Sequence, residues 1–145
     1  MTPTTCTTTH NPPHSYGDCL RACVATILDL PAEDVPHFAD RGISASDTLA
    51  HCRAWLKQRG LTMATFGFPG TEPLDELMQF MERTNPGVVW LLFGSTDPTE
   101  PDAMHVNVCR GGEVLHDPAW VPTSIKAPYR EGGVSVWQIW VIVRV

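Results

Sequence analysis

Residues 16–28 constrain the fold more than any other stretch. Leu20, Cys23, Val24, Ile27 and Leu28 fall at i, i+3, i+4, i+7 and i+8, the stripe of a helix buried along one face. The spacing predicts a helix over residues 19–30. Asp18 can act as its N-cap, and Gly17 lets the chain turn tightly just before it. Cys19 then stands at the positive end of the helix, beside backbone N–H groups with no intrahelical acceptor. That setting lowers a thiol's pKa and offers donors to an oxyanion, so Cys19 is a candidate nucleophile. The plainer use of such a residue is as a small core side chain.

The chain of 145 residues is long enough to bury a core without staples, and a single domain over residues 1–145 is expected. Residues 1–15, rich in Thr and Pro, read as a loose N-terminal arm. The formal charge of −6 and the lack of any basic run argue against nucleic acid or an anionic membrane as a partner. The first residues hold no apolar signal core, and the apolar stretch at 137–145 is too short to cross a bilayer. A cytoplasmic location is therefore expected. Five cysteines without a C-x-x-C pair read as free thiols in such a compartment. The C-x-x-x-C spacing of Cys19 and Cys23 is a weak zinc signal on a helix, and no metal or cofactor is expected.

After this helix, Ser46 or Asp47 can cap a second one running to Arg59, with Leu49, Cys52, Trp55 and Leu56 on one face and Gly60 as its stop. Residues 61–68 read as a strand, and Thr71, followed by Pro73, starts a third helix through Arg83 striped by Leu74, Leu77, Met78 and Met81. Residues 88–93 form a continuous apolar run, the mark of a central strand. A polar loop over 94–102 follows, then strands at 105–110 and 113–116, an irregular segment over 118–133, and a last strand at 134–145 that could be central or an edge. Helices first and strands after them imply an α+β fold on a mostly antiparallel sheet.

A cysteine nucleophile needs a base, and the base needs an orienting group. His37 and His51 lie near helical segments without a carboxylate partner and read as surface or locally satisfied residues. His105 opens a strand, with Asn107 and Cys109 on its face. A three-residue loop, Arg110-Gly111-Gly112, would pair residues 109–113, 107–115 and 105–117, bringing the His105 and Asp117 Cβ atoms to about 5 Å. A two-residue loop, Gly111-Gly112, would turn Asp117 to the other face and leave His116 as the candidate base. For the oxyanion, the N–H near Cys19 needs a second donor. Asn11 has a suitable amide, with His10 or His14 as substitutes. The acidic residues Asp97, Glu100 and Asp102 sit in a loop expected to border the cleft, with residues 118–133 on its other side.

The order Cys, then His on one strand, then Asp on the next resembles the papain-like cysteine peptidases. More closely, residues 17–25 (GDCLRACVA), Leu30-Pro31 and Val35-Pro36-His37-Phe38 are similar to small phage and bacterial proteins related to the double-glycine (bacteriocin-processing) peptidases. His105-Val106 and residues 110–118 (RGGEVLHDP) resemble that group's C-terminal hairpin. The resemblance implies a nucleophile helix packed on an antiparallel sheet, with Cys19, His105 and Asp117 as catalytic residues. It implies a hydrolase of peptide, isopeptide or related amide bonds, acting on a peptide or protein substrate. Such peptidases carry a glutamine before the cysteine. None stands between Met1 and Cys19, and Asn11 is the residue expected in its place. That departure keeps a binding module of weak or no activity in view, and an acyltransferase or transglutaminase-like enzyme would use the same triad.

Overall fold

The computed structural model describes residues 1–101, 103–121 and 123–145. In chain order its elements are helix α1 (Cys19–Leu28), a short 3-10 turn (Ala32–Asp34), α2 (Ala45–Lys57), strand β1 (Leu61–Pro69), α3 (Leu74–Thr84), β2 (Val89–Gly94), β3 (His105–Arg110), β4 (Glu113–His116), β5 (Tyr129–Glu131) and β6 (Val134–Arg144). The strands form one sheet in the order β1-β6-β2-β3-β4, with β5 also on β6, and each pairing is antiparallel. The fold is α+β. The last strand is thus central, held between β1 and β2. No described helix is long and apolar enough to cross a membrane.

Strand alternation sorts the core onto two sides of this sheet. Leu91 and Phe93 of β2, Val106 and Val108 of β3 and Trp140 of β6 pack against Leu20, Val24 and Leu56 of α1 and α2. Their neighbours Trp90, Leu92, Cys109 and Ile139 pack on the opposite face against Leu77 and Met81 of α3. β2 reads as a continuous apolar run because it is covered on both faces. Phe93 and Trp140 anchor the first layer, with ring centroids 3.9 Å apart.

Local chemistry sets where the helices end. α1 stops at Leu28, the last residue of its stripe and two short of the expected residue 30, because Asp29 takes the left-handed conformation (φ 57). Leu30 N–H then reaches Ala25 O, and Asp29 N–H reaches Thr26 O, a Schellman closure followed by Pro31. α2 is capped by Ser44 rather than Ser46 or Asp47, since Ser44 Oγ accepts from Asp47 N–H at 3.1 Å. The segment expected to be irregular holds β5, which pairs with β6 across a Gly132-Gly133 turn.

The arm over residues 1–15 is not loose. Thr4 N–H donates to Thr26 Oγ1 at 2.9 Å, and the Thr4 carbonyl bonds His116 Nε2 at 2.7 Å. Cys6 N–H donates to Pro118 O at 2.7 Å. Thr and Pro were poor guides to disorder here, because the threonine hydroxyls and amides are used as tethers.

Phe93→Ala should lower unfolding free energy by about 3–5 kcal/mol in urea titration, as expected for emptying a sealed aromatic site. A loss well under 1 kcal/mol would contradict the central placement of β2.

Candidate active site

The site starts with the way the chain enters α1. Asp18 occupies the N-cap position, yet its side chain does not cap the helix. It is 1% exposed and turns back to the arm, accepting from Thr7 N–H at 2.9 Å, Thr8 N–H at 3.1 Å and the Thr7 hydroxyl. Arg21, one turn along, pairs with it at 3.6 Å and donates to Val35 O at 2.6 Å. Burial alone would raise the Asp18 carboxyl, but the hydrogen bonds from Thr7 and Thr8 outweigh it and hold the group below its ordinary value, with His37 adding to the effect. Asp18, expected as a helix cap or a binding residue, is therefore a clamp on the arm, and it also lines the cleft.

His37 holds the same turn from the other side. Its Nδ1 accepts from Ala39 N–H at 3.3 Å, so Nε2–H donates to Tyr16 O at 2.8 Å. His37 is locally satisfied, as expected, but it also borders the cleft. His51 and His14 are exposed.

The base arises from the β3–β4 hairpin by an unexpected route. The loop has two residues: Arg110 pairs with Glu113 and Cys109 with Val114, with Gly111 at φ 51. The three-residue register is thus wrong. A bulge then displaces Leu115, so Val108 pairs with His116. The bulge restores the parity that the shorter loop had reversed and returns Asp117 to the face of His105. His105 Nε2 lies 2.8 Å from Asp117 Oδ1. The carboxylate is itself fixed, by Ala119 N–H on Oδ1 at 3.0 Å and Thr123 N–H on Oδ2 at 2.9 Å. Because a carboxylate only accepts, His105 carries a proton on Nε2 and presents Nδ1 as a base when neutral. His116, the base of the alternative register, is spent on Thr4 O.

Cys19 and His105 line one cleft of about 860 Å³, within the usual range for ligand sites. Among the described residues no hydrogen bond joins their side chains. Burial pushes the Cys19 thiol up to about 11. Backbone hydrogen bonding at Val106 and Leu20 lowers it in part, and the Asp18 charge raises it further. The helix end alone does not activate this cysteine: desolvation wins, and the expected lowering is absent. Cys23, one turn on, donates to Val106 O at 3.4 Å, and its thiol is raised well above its ordinary value by burial.

Asn11 is not brought to the site. It is exposed, forms a small bridge with Ser15 and stands outside the cleft. Four residues of the arm do line it, Cys6, Thr8, Thr9 and His10. Cys6 is half-buried, and desolvation raises its thiol to about 12. From the flanking loops come Thr96, Ala103 and Met104 on one side and Ala119, Trp120 and Val121 on the other, as expected. Trp120 is 62% exposed, with its indole N–H on Cys6 O. Asp97 accepts from Thr99 and serves its own loop. Neither Asp97 nor Glu100 borders the cleft, and Asp102 lies outside the described residues. Among the described residues no group of three His, Cys, Asp or Glu side chains is arranged to hold a metal. Comparisons with protein-family models, curated proteins and solved structures give no match.

Asp18→Asn should cost about 2 kcal/mol at pH 7 by urea unfolding, the usual worth of charge-assisted hydrogen bonds. The native carboxyl is held low, so its contribution is complete above the unfolded value of about 3.9 and disappears as pH falls through the lower folded value. The gap between parent and variant should close in acid. A variant as stable as the parent at pH 7 would contradict the clamp.

Proposed function

We propose that this chain is a papain-like cysteine hydrolase acting on a peptide, isopeptide or related amide bond. One observation carries the reading: His105, paired with Asp117 at 2.8 Å, lines the cleft that Cys19 also lines. A nucleophile at a helix start and a base with its orienter on an antiparallel sheet form the constellation such chemistry requires.

The roles follow from the atoms. His105 Nδ1 takes the thiol proton as Cys19 Sγ bonds to the carbonyl carbon. Asp117 holds the ring by Nε2–H and steadies the imidazolium. The backbone N–H of Cys19 faces the developing oxyanion. As the C–N bond breaks, His105 returns the proton to the leaving amine. A water, giving its proton to His105, then attacks the thioester, releasing the acid and restoring the thiol.

A second reading, a binding module on the same scaffold, draws on two observations. The Cys19 thiol is raised to about 11, and it makes no hydrogen bond with His105. A thiol left at that value is almost wholly neutral at pH 7 and a poor nucleophile.

The pH dependence of iodoacetamide alkylation, read at each cysteine by peptide mass spectrometry, separates the two. The hydrolase reading predicts fast modification of Cys19 well below pH 8. In His105→Ala that reactivity should vanish, leaving a rate that climbs only toward pH of about 11, the value set by burial. Cys19 reacting no faster than glutathione in the same buffer would favour the binding module.

A further inference from the structure

A tetrahedral intermediate at Cys19 needs more than the N–H of that residue, since oxyanion sites of this kind use two donors. Asn11 is turned away, but its neighbour is not. His10 lines the cleft with Cys19. Its Nδ1 accepts from Gly17 N–H at 3.2 Å. A ring nitrogen that accepts carries no proton, so neutral His10 bears its hydrogen on Nε2. The backbone thus fixes the tautomer and leaves a donor on the far side of the ring.

The ring is also held in place. Tyr16 meets it edge-on, with centroids 5.9 Å apart and planes at 63°. A Cβ on Gly17 would lie 3.2 Å from His10 Cβ, so the missing side chain is what lets His10 close onto the turn that delivers Cys19. Asn11 and Ser15 exchange backbone hydrogen bonds at 3.0 Å in both directions, closing the short loop that brings His10 back over Gly17. Arm, turn and nucleophile are therefore tied together within a few residues.

We propose that His10 is a catalytic residue whose Nε2–H, with the backbone N–H of Cys19, receives the oxyanion. The proposal rests on the hydrolase reading and supplies the donor that reading lacks. It also explains why an arm with no glutamine is fastened so firmly beside the nucleophile. Its tethers at Thr4, Cys6, Thr7 and Thr8 hold His10 to the cleft.

Two reagents separate this role from general reactivity. Acylation by p-nitrophenyl acetate forms the Cys19 thioester and expels p-nitrophenolate through a tetrahedral oxyanion, with the thiol proton passing to His105. Alkylation by iodoacetamide displaces iodide at a saturated carbon and makes no oxyanion. Both rates at Cys19 would be measured on the full chain, on His10→Ala and on His10→Gln. Loss of one oxyanion donor predicts acylation slower by about 10²–10³-fold in His10→Ala, with alkylation unchanged. His10→Gln, which keeps an N–H donor, should recover most of the loss. Acylation unaffected by His10→Ala overturns the proposal, as does an equal fall in both reactions that glutamine does not reverse. If the parent's Cys19 is alkylated no faster than glutathione, the hydrolase reading itself fails and the donor role falls with it.

Discussion

The open edge of β3 at Val106 is the constraint on which the site depends. β4 pairs with β3 only over Val108 to Arg110, so Val106 meets no strand on that side. Val106 is fully buried, and a buried carbonyl without a partner is costly. The start of α1 fills the gap. Cys23 Sγ donates to the Val106 carbonyl, and the Cys19 thiol interacts with the Val106 backbone. The shortness of β4 thus docks a helix start one residue from His105. The bulge at Leu115, beyond which pairing resumes at Val108 and His116, returns Asp117 to the face of His105. The hairpin thus serves both ends of the constellation.

The electrostatics of the site are a contest between burial and partners. Asp18 shows partners winning, because donors from Thr7 and Thr8 meet its carboxylate. Cys19 shows burial winning, because backbone hydrogen bonding offsets only part of the desolvation. Under the hydrolase reading the imidazolium of His105 is the missing counter-charge, supplied when the thiol proton crosses to Nδ1. Cys52 and Cys109 have no such prospect: both are buried in the core, with thiols pushed up to about 12 by desolvation.

Periodicity made most of the architecture legible. The stripe on α1, the unbroken run of β2 and the alternation around His105 each mark a real element, because burial on one face or two leaves that imprint on sequence. β5 escaped because three residues carry no period, although Gly132-Gly133 offered the same turn signal as Gly111-Gly112. The hairpin shows a subtler limit. The pairing of His105 with Asp117 was foreseen, but through a loop of the wrong length, and nothing around Leu115 announces a bulge in residue type. Asp18 was misread because N-cap preference is local, whereas its partners Thr7 and Thr8 lie on an arm judged loose by composition. The same composition hides that Cys6 and His10 line the cleft while Asn11, bridged to Ser15, stands outside it.

Under the hydrolase reading, Asp117 fixes His105 so that Nδ1 serves the Cys19 thiol. The ¹⁵N spectrum of the His105 ring, recorded at neutral pH in the parent and in Cys19→Ala, tests it most directly. The expected result is a proton on Nε2 in both proteins and an Nδ1 resonance that moves when the thiol is removed. A ring protonated on Nδ1 alone, or an Nδ1 resonance indifferent to Cys19, would contradict it.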